Sequence, residues 1–539
     1  MAIIEITLAL LLAVSAVGVI GKWIPVVPLP VLQVGAGIGL SYIPQLASLH
    51  VPPETFFLLF IPPLLFADGW SIPKRDLIRV LRPVLMLAFG LVLATVVAVG
   101  YIAHWLVPAL PLAAAFALGA VISPTDAVAV TEIMRRLSVP TRVTTIVGGE
   151  SLINDASGLI AFKFAVAAVV TSVFSWKNAA IDFVVLSGGG FILGAALAWL
   201  IAKLRVGLMR FCAGDPTIQT IISLLTPYAA YLAAEALGLG SILAIVGAGL
   251  YAGMDDPRST DAATRRHAWE VWEMLLYVFN GVVFLLLGLQ LHYIIGAVSH
   301  ADAFGITVLA LLVTATVILV RLVWVFPAAY LPLLLSRRIR EREGIHEPRN
   351  VFLVGWAGIR GAVTLAAALS IPLTTVSGEP FPGRALIILL AATVILITLL
   401  AQGLTLPLFI RWLGIRGEGM REREERAARL ATAQAAAVAI RKEMPQLKDP
   451  AERAYAQSLI EEYEEHMARY SSNAERRVRI DGLRQSQRRL RLAALRAERD
   501  ELIELRDTDV INDEVLLLIQ ADLDHVELLL QSEDTGRTS

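Results

Sequence analysis

The feature that most constrains this chain is a succession of apolar stretches of about 20 residues, each closed by charges, glycine or proline. A stretch of that length is what a helix needs to cross a hydrocarbon layer roughly 30 Å thick. The stretches fall at 3–20, 24–43, 53–70, 83–103, 112–133, 143–172, 180–202, 217–237, 240–254, 269–296, 303–335, 351–372 and 385–412, thirteen in all. The two longest, 143–172 and 303–335, are expected to tilt or to include an interfacial turn. Composition agrees. Of 539 residues 56% are hydrophobic and 17% charged, and residues 415–539 hold 47 of the 93 charged side chains. The mean hydropathy of +0.68 excludes a soluble enzyme of this size. The expected fold is an all-α polytopic membrane domain, 1–414, followed by a charged, helical cytoplasmic C-terminal domain, 415–539. One cysteine, Cys212, leaves no intramolecular disulfide framework and no Cys-cluster metal site.

The loops orient these spans, because Lys and Arg in short loops accumulate on the cytoplasmic side. Loops after odd-numbered spans carry 19 basic residues, whereas loops after even-numbered spans carry only Lys177 and Arg384. The N-terminus is therefore expected outside and the charged tail inside. The first segment, with Glu5 and no basic leader, reads as a retained helix.

Thirteen spans permit spans 1–6 and 8–13 to be related by a shift of seven, which reverses orientation and produces inverted repeats. Span 5 is interrupted by Ser123-Pro124-Thr125-Asp126-Ala127, where proline removes an N–H and frees carbonyls. The same shift maps it onto span 12, interrupted by Gly355-Trp356-Ala357-Gly358-Ile359-Arg360-Gly361. Two broken helices in corresponding halves point to a binding site at the membrane midplane. A kink without function is the competing reading for either helix alone.

Charges inside the spans are the functional candidates, since each costs about 2.5–3.5 kcal/mol at mid-bilayer on insertion scales. The basic ones are Lys163, Arg321 and Arg360; the deep acidic ones are Asp126, Glu150 and Asp155, with Asp68 nearer a span end. In Gly148-Gly149-Glu150-Ser151-Leu152-Ile153-Asn154-Asp155, Ser151 and Asp155 share one helix face while Glu150 and Asn154 share the adjacent one. Their hydroxyl, carboxylate and amide oxygens suit a hard cation such as Na+. Burial and nearby cations move a carboxyl pKa in opposite directions, so a proton and a metal ion can compete at Asp155. Glu150 is left to pair with an arginine. Lys163 reads first as a snorkelling or pairing residue and second as a helper in the cycle.

All eight histidines fall in loops, span ends or the tail, which leaves no intramembrane Ser-His pair and no His metal cluster. No phosphate-cradling loop is visible, so primary active transport is disfavoured. The remaining enzyme reading is an intramembrane aspartyl protease built on Asp126 and Asp155. It is weak, because neither aspartate stands in a Gly-rich context.

The stretches FIPPLLFADGW (60–70), SPTDAVAV (123–130), GGESLINDASGL (148–159), VFNGVVFLLLGLQL (278–291) and GWAGIRGAVTLAAALSIP (355–372) resemble the monovalent cation:proton antiporter-1 family. That family includes bacterial antiporters of the NhaP and YjcE type and the animal Na+/H+ exchangers. The resemblance implies a six-helix core moving against a dimerisation domain, in a homodimer of the bacterial cytoplasmic membrane. The implied activity is exchange of Na+, or alternatively K+ or Li+, for H+, with no cofactor. Asp155 becomes the carboxylate that binds cation or proton, and Asn154 marks electroneutral members. Asp126, Thr125 and Ser151 line the site. Glu150 forms a structural ion pair with Arg321, and Arg360 neutralises helix-end dipoles. Two positions depart from the pattern: Ala67 stands where many members are acidic, with Asp68 one place on, and Asn280 stands where animal exchangers have glutamate. Both are candidate access or accessory groups.

Residues 415–539 run rich in Ala, Glu, Arg and Leu, as in 474–507, and predict two or three soluble helices with an acidic end. The basic stretch 476–499 is expected to touch either anionic lipid or that acidic end.

Overall fold

The computed structural model describes residues 2–24, 27–43, 52–171, 176–211, 215–298, 303–343, 347–376, 378–415, 420–470 and 474–508, with short pieces between 510 and 527. Contacts divide the chain into two compact units, Met1–Arg416 and Gly417–Ser539.

The first unit is built of helices: α1 (Ala2–Trp23), α2 (Leu29–Leu40), α3 (Pro53–Ser71), the short α4 (Lys74–Arg79) and α5 (Leu81–Leu106). Then follow α6 (Leu112–Ile122), α7 (Val128–Arg136), α8 (Thr141–Thr171), α9 (Trp176–Phe211), α10 (Pro216–Ala236), α11 (Ser241–Ser259) and α12 (Ala262–Val298). The unit closes with α13 (Ala303–Leu335), the short α14 (Arg337–Glu343), α15 (Pro348–Trp356), α16 (Ala362–Leu369) and α17 (Arg384–Trp412). Each of the thirteen apolar stretches lands on one helix or on an interrupted pair. Among the described residues seven helices are long and apolar enough to cross a membrane, and three shorter apolar ones lie at Leu29–Leu40, Thr55–Ser71 and Leu112–Ile122.

Of the tilt or turn expected of the two longest stretches, a turn is not found within Thr141–Thr171 or Ala303–Leu335: α8 and α13 are each continuous, and α13 accommodates Pro327 and Pro332. Its neighbours supply packing that a free helix would lack. The stretch at 24–43 becomes helical only from Leu29, because Pro28 takes the N-cap and Pro30 suits the first turn, where no intrahelical N–H is needed.

Small residues set the closest helix crossings, as expected where apolar surface alone offers little drive for association. A methyl group on Gly37 of α2 would lie 2.2 Å from the carbonyl of Leu285 on α12, and one on Gly194 of α9 would lie 1.8 Å from that of Ala244 on α11. α6 is buried along almost its whole length and packs against α5 and α8. Inside α5, Met86–Leu91 widens into a π-helical turn. Trp324 Nε1 of α13 donates to the Met86 carbonyl at 3.2 Å and Ser157 of α8 to that of Ala88, so the loosened turn is tied to both neighbours.

The second unit holds α18 (Met420–Glu443), α19 (Pro450–Tyr470) and α20 (Ala474–Asp507), with α18 packed on α19. Arg499 of α20 pairs with Asp524 and Glu527.

At one end of α3 a polar knot joins four helices. Trp70 Nε1 donates to Asp256 Oδ2 at 2.6 Å, Arg205 Nη1 stands 3.6 Å from Asp256 Oδ1, and Arg205 Nε donates to Gln219 Oε1 at 2.8 Å. Lys74 Nζ donates to the Trp70 carbonyl. Burial lowers the Lys74 ammonium from 10.5 to about 8, against an opposing pull from Asp256. The unfolded chain therefore binds more protons than the folded one between those two values, and stability rises with pH across that window. The expected outcome is that the melting-temperature difference between wild type and Lys74→Met moves in favour of wild type as pH rises from about 8 to 10 in detergent. A pH-independent difference would contradict this account of Lys74.

Candidate functional site

The site lies where the two interrupted helices meet. α6 stops at Ile122 and α7 starts at Val128; α15 stops at Trp356 and α16 starts at Ala362. The intervening segments lie against each other, and the Asp126 N–H donates to the Ile359 carbonyl at 2.7 Å. Gly361 makes that approach possible, since a methyl group there would lie 2.0 Å from Asp126 Oδ2.

Interrupting a helix leaves its carbonyl end partly negative and its amide end partly positive. Arginines meet the two carbonyl ends. Arg321 of α13 donates from Nη2 to the Val354 carbonyl at 3.0 Å and from Nε to that of Gly355 at 3.1 Å, at the end of α15. Arg360 donates from Nε to the Ile122 carbonyl at 3.2 Å, at the end of α6, and from Nη1 to that of Gly358. Asp126 sits at the opposite ends, two residues before α7 begins and against Gly361 at the start of α16.

α8 runs past this crossing and supplies the other polar groups. Ser151 Oγ donates to the Thr125 carbonyl at 2.6 Å and accepts from the Ala127 N–H at 3.2 Å, so one hydroxyl ties down two backbone groups of the interruption. Asn154 Nδ2 donates to Thr125 Oγ1 at 2.7 Å, which leaves its Oδ1 buried with no hydrogen-bond partner among the described residues. Glu150 and Arg321 form a two-armed ion pair, Nη2 to Oε2 at 2.7 Å and Nη1 to Oε1, with side chains 1% and 0% exposed.

Asp155 is 5% exposed, and its Oδ1 has no hydrogen-bond partner among the described residues. No described Lys or Arg pairs with it: Arg321 is held by Glu150, and Arg360 by backbone carbonyls. The charges that act on Asp155 are Asp68, Asp126 and Glu150, all acidic. Asp68, half-buried on α3, thus shares the electrostatic neighbourhood of the site although it stands one place from the expected position.

Two candidates are not brought into this cluster. Lys163 is exposed on α8, two turns beyond Asp155. Asn280 is half-buried on α12, beside Gly281, which packs on Val14 and Gln33. Three groups escaped the sequence reading. Thr398 of α17 is buried and accepts from the Arg360 N–H at 3.3 Å, while Thr364 Oγ1 and both polar atoms of Gln402 are buried with no partner among the described residues. Thr398 and Gln402 stand four apart in an otherwise apolar span, which was the available signal.

A family profile described as "Sodium/hydrogen exchanger, transmembrane" matches residues 6–412. The chain belongs to that family. The exchanger is 38% identical to the "Uncharacterized Na(+)/H(+) exchanger YjcE" of Escherichia coli, with 98% of both chains covered. It is 36% identical to the "Sodium, potassium, lithium and rubidium/H(+) antiporter" of Bacillus subtilis, over 98% of this chain and 78% of that one. Its fold matches the sodium proton antiporter MjNhaP1 of Methanocaldococcus jannaschii with a TM-score of 0.60 at 20% identity, over 77% of this chain and 98% of that one. The exchanger is thus a multi-pass, all-helical membrane protein of the cation/proton antiporter class.

The buried pair in the exchanger yields a direct expectation. Glu150→Ala leaves the Arg321 charge without its carboxylate and should cost roughly 3–5 kcal/mol, read as an early melting transition in detergent. Replacing both residues by Leu and Met should recover much of that loss. Equal melting of Glu150→Ala and wild type would show that the pair does not hold α8 to α13.

Proposed function

We propose that this exchanger trades Na+ for H+ across the cytoplasmic membrane by alternating access, with Asp155 loaded by one ion or the other and never by both. The observation that carries this reading is a buried carboxylate on which only acidic charges act and with which no Lys or Arg pairs among the described residues. Burying such a charge alone is costly, so the group takes up a proton or a small cation whenever water is excluded. A cation gains Asp155 Oδ1 and the spare Asn154 Oδ1, both hard oxygens facing no other partner. Thr125, Ser151 and Asp126 complete the lining. A carboxylate that changes one proton for one monovalent cation carries the same charge in both directions, which makes the exchange electroneutral.

The roles of the supporting residues follow from their bonds. Glu150 and Arg321 form a fixed strut: the arginine is neutralised, and its remaining donors cap α15. Arg360 caps α6 and offsets the acidity near the crossing. Asp68 serves as an accessory charge on the access side, supported by its action on Asp126 and Asp155. Lys163 and Asn280 are left to structural roles.

Membership in an exchanger family supports transport over the intramembrane protease. The Bacillus relative is named for sodium, potassium, lithium and rubidium; hard oxygens accept each of these, so the cation ranking is the quantity to measure. The loop charges support a cytoplasmic-membrane location with the N-terminus outside and the tail inside. A homodimer is the assembly the resemblance implies.

The test uses everted membrane vesicles acidified inside, to which NaCl, KCl or LiCl is added while internal pH is followed. Wild type should dissipate the gradient most strongly with Na+, and Asp155→Asn should do so with none of the three. Equal responses of wild type and mutant to every cation would sink the assignment of exchange to Asp155.

A further inference from the structure

Beyond the exchange site, Gln402 is a side chain of the membrane unit with both of its polar atoms buried and unmatched among the described residues. Gln402 of α17 is 0% exposed, and neither Oε1 nor Nε2 has a hydrogen-bond partner among the described residues. A primary amide offers two donors and two acceptor lone pairs, and protein interiors rarely leave all of them unmet.

Its position is set by its neighbours on α17. Thr398, one turn before it, accepts from the Arg360 N–H at 3.3 Å. Thr405, on the other side, accepts from Trp356 Nε1 at 2.9 Å, and Gly403 faces Ile359. Gln402 is therefore level with residues 356–360, the interruption itself. Leu399 and Leu406, on either side of Gln402 along α17, belong to a buried apolar cluster with Val130 and Met134 of α7 and with Ile359.

Thr398 can supply one end of a bridge. Its hydroxyl proton goes to the Val394 carbonyl at 2.8 Å and one lone pair receives the Arg360 N–H, so a second lone pair is left. A water molecule donating to Thr398 Oγ1 and to Gln402 Oε1 would meet the open acceptor on each, as buried waters do between otherwise unsatisfied polar groups.

We infer that Gln402 and Thr398 form a buried water-binding station behind the crossing, and that Gln402 is a positioning residue for exchange. It acts through Thr398 on the Arg360 N–H, and so on the Ile359 carbonyl that holds the Asp126 N–H. The station keeps the interruption hydrated from a side that the transported ion does not touch. The positioning role rests on the exchange reading given above; the water does not.

Two measurements on the full-length protein test it. In radiolytic hydroxyl labelling, a water held at Gln402 should mark the otherwise inaccessible Leu399 or Leu406 in wild type and leave them unmarked in Gln402→Leu. In proteoliposomes, Gln402→Leu should raise the apparent KM for Na+ by about tenfold, the lower end of the effect of outer-shell partners on a bound ion. Its melting temperature should be unchanged or higher, and Gln402→Glu, which keeps the acceptor, should restore most of the affinity. Absence of labelling in wild type overturns the station. Wild-type KM in Gln402→Leu, or a KM rise that merely tracks a lowered melting temperature across both variants, overturns the positioning role. Should wild type itself fail to exchange Na+, the labelling still decides the water, and only the exchange reading falls.

Discussion

Breaking a helix inside hydrocarbon exposes amides and carbonyls that lipid cannot satisfy, and the centre of this protein is arranged around that cost. Several hydrogen bonds at the crossing answer it. Ser151 holds both the Thr125 carbonyl and the Ala127 N–H; Asp126 and Ile359 join the two interruptions directly; Arg321 and Arg360 cover the carbonyl ends of α15 and α6. The backbone then presents fixed dipoles to a small volume, and the side chains beside it are chosen against those dipoles.

The same arrangement separates two carboxylates by what they meet. Glu150 and Asp155 are five residues apart on one helix, both buried. Glu150 meets a guanidinium in two-armed geometry and is neutralised by it; Asp155 pairs with no Lys or Arg among the described residues, and the charges acting on it are acidic. A buried ion pair of the first kind adds little net stability over an apolar pair, yet losing one member is costly. Its value here is spatial: it joins α8, which carries Asp155, to α13 and to the end of α15, so the liganding oxygens and the broken helix keep one geometry.

Much of this was readable from residue order. Hydrophobic periods located the long apolar helices of the membrane unit, because the length of a span is imposed by the bilayer and not by tertiary contacts. Proline at 124 and the glycines around 358 located both interruptions, since these residues act on the backbone they belong to. The continuous α13 was less legible: whether Pro327 and Pro332 end a helix depends on neighbours that can take up the freed carbonyls. Gln402 and Thr398 were passed over for a related reason. A single amide or hydroxyl in an apolar span carries no charge to betray it, and only its place beside Arg360 gives it meaning.

By itself the sequence determined that the chain enters a membrane, where two helices break and which few charges lie within its apolar spans. These are properties of a stretch and its solvent. The tertiary structure alone decided which of those charges cancel. It gave Arg321 to Glu150, turned Arg360 to backbone carbonyls, left Lys163 facing outward and drew Asp68 toward Asp126 and Asp155. Electrostatic pairing depends on distances of a few ångströms between residues as far apart as 150 and 321, and no spacing along the chain encodes them.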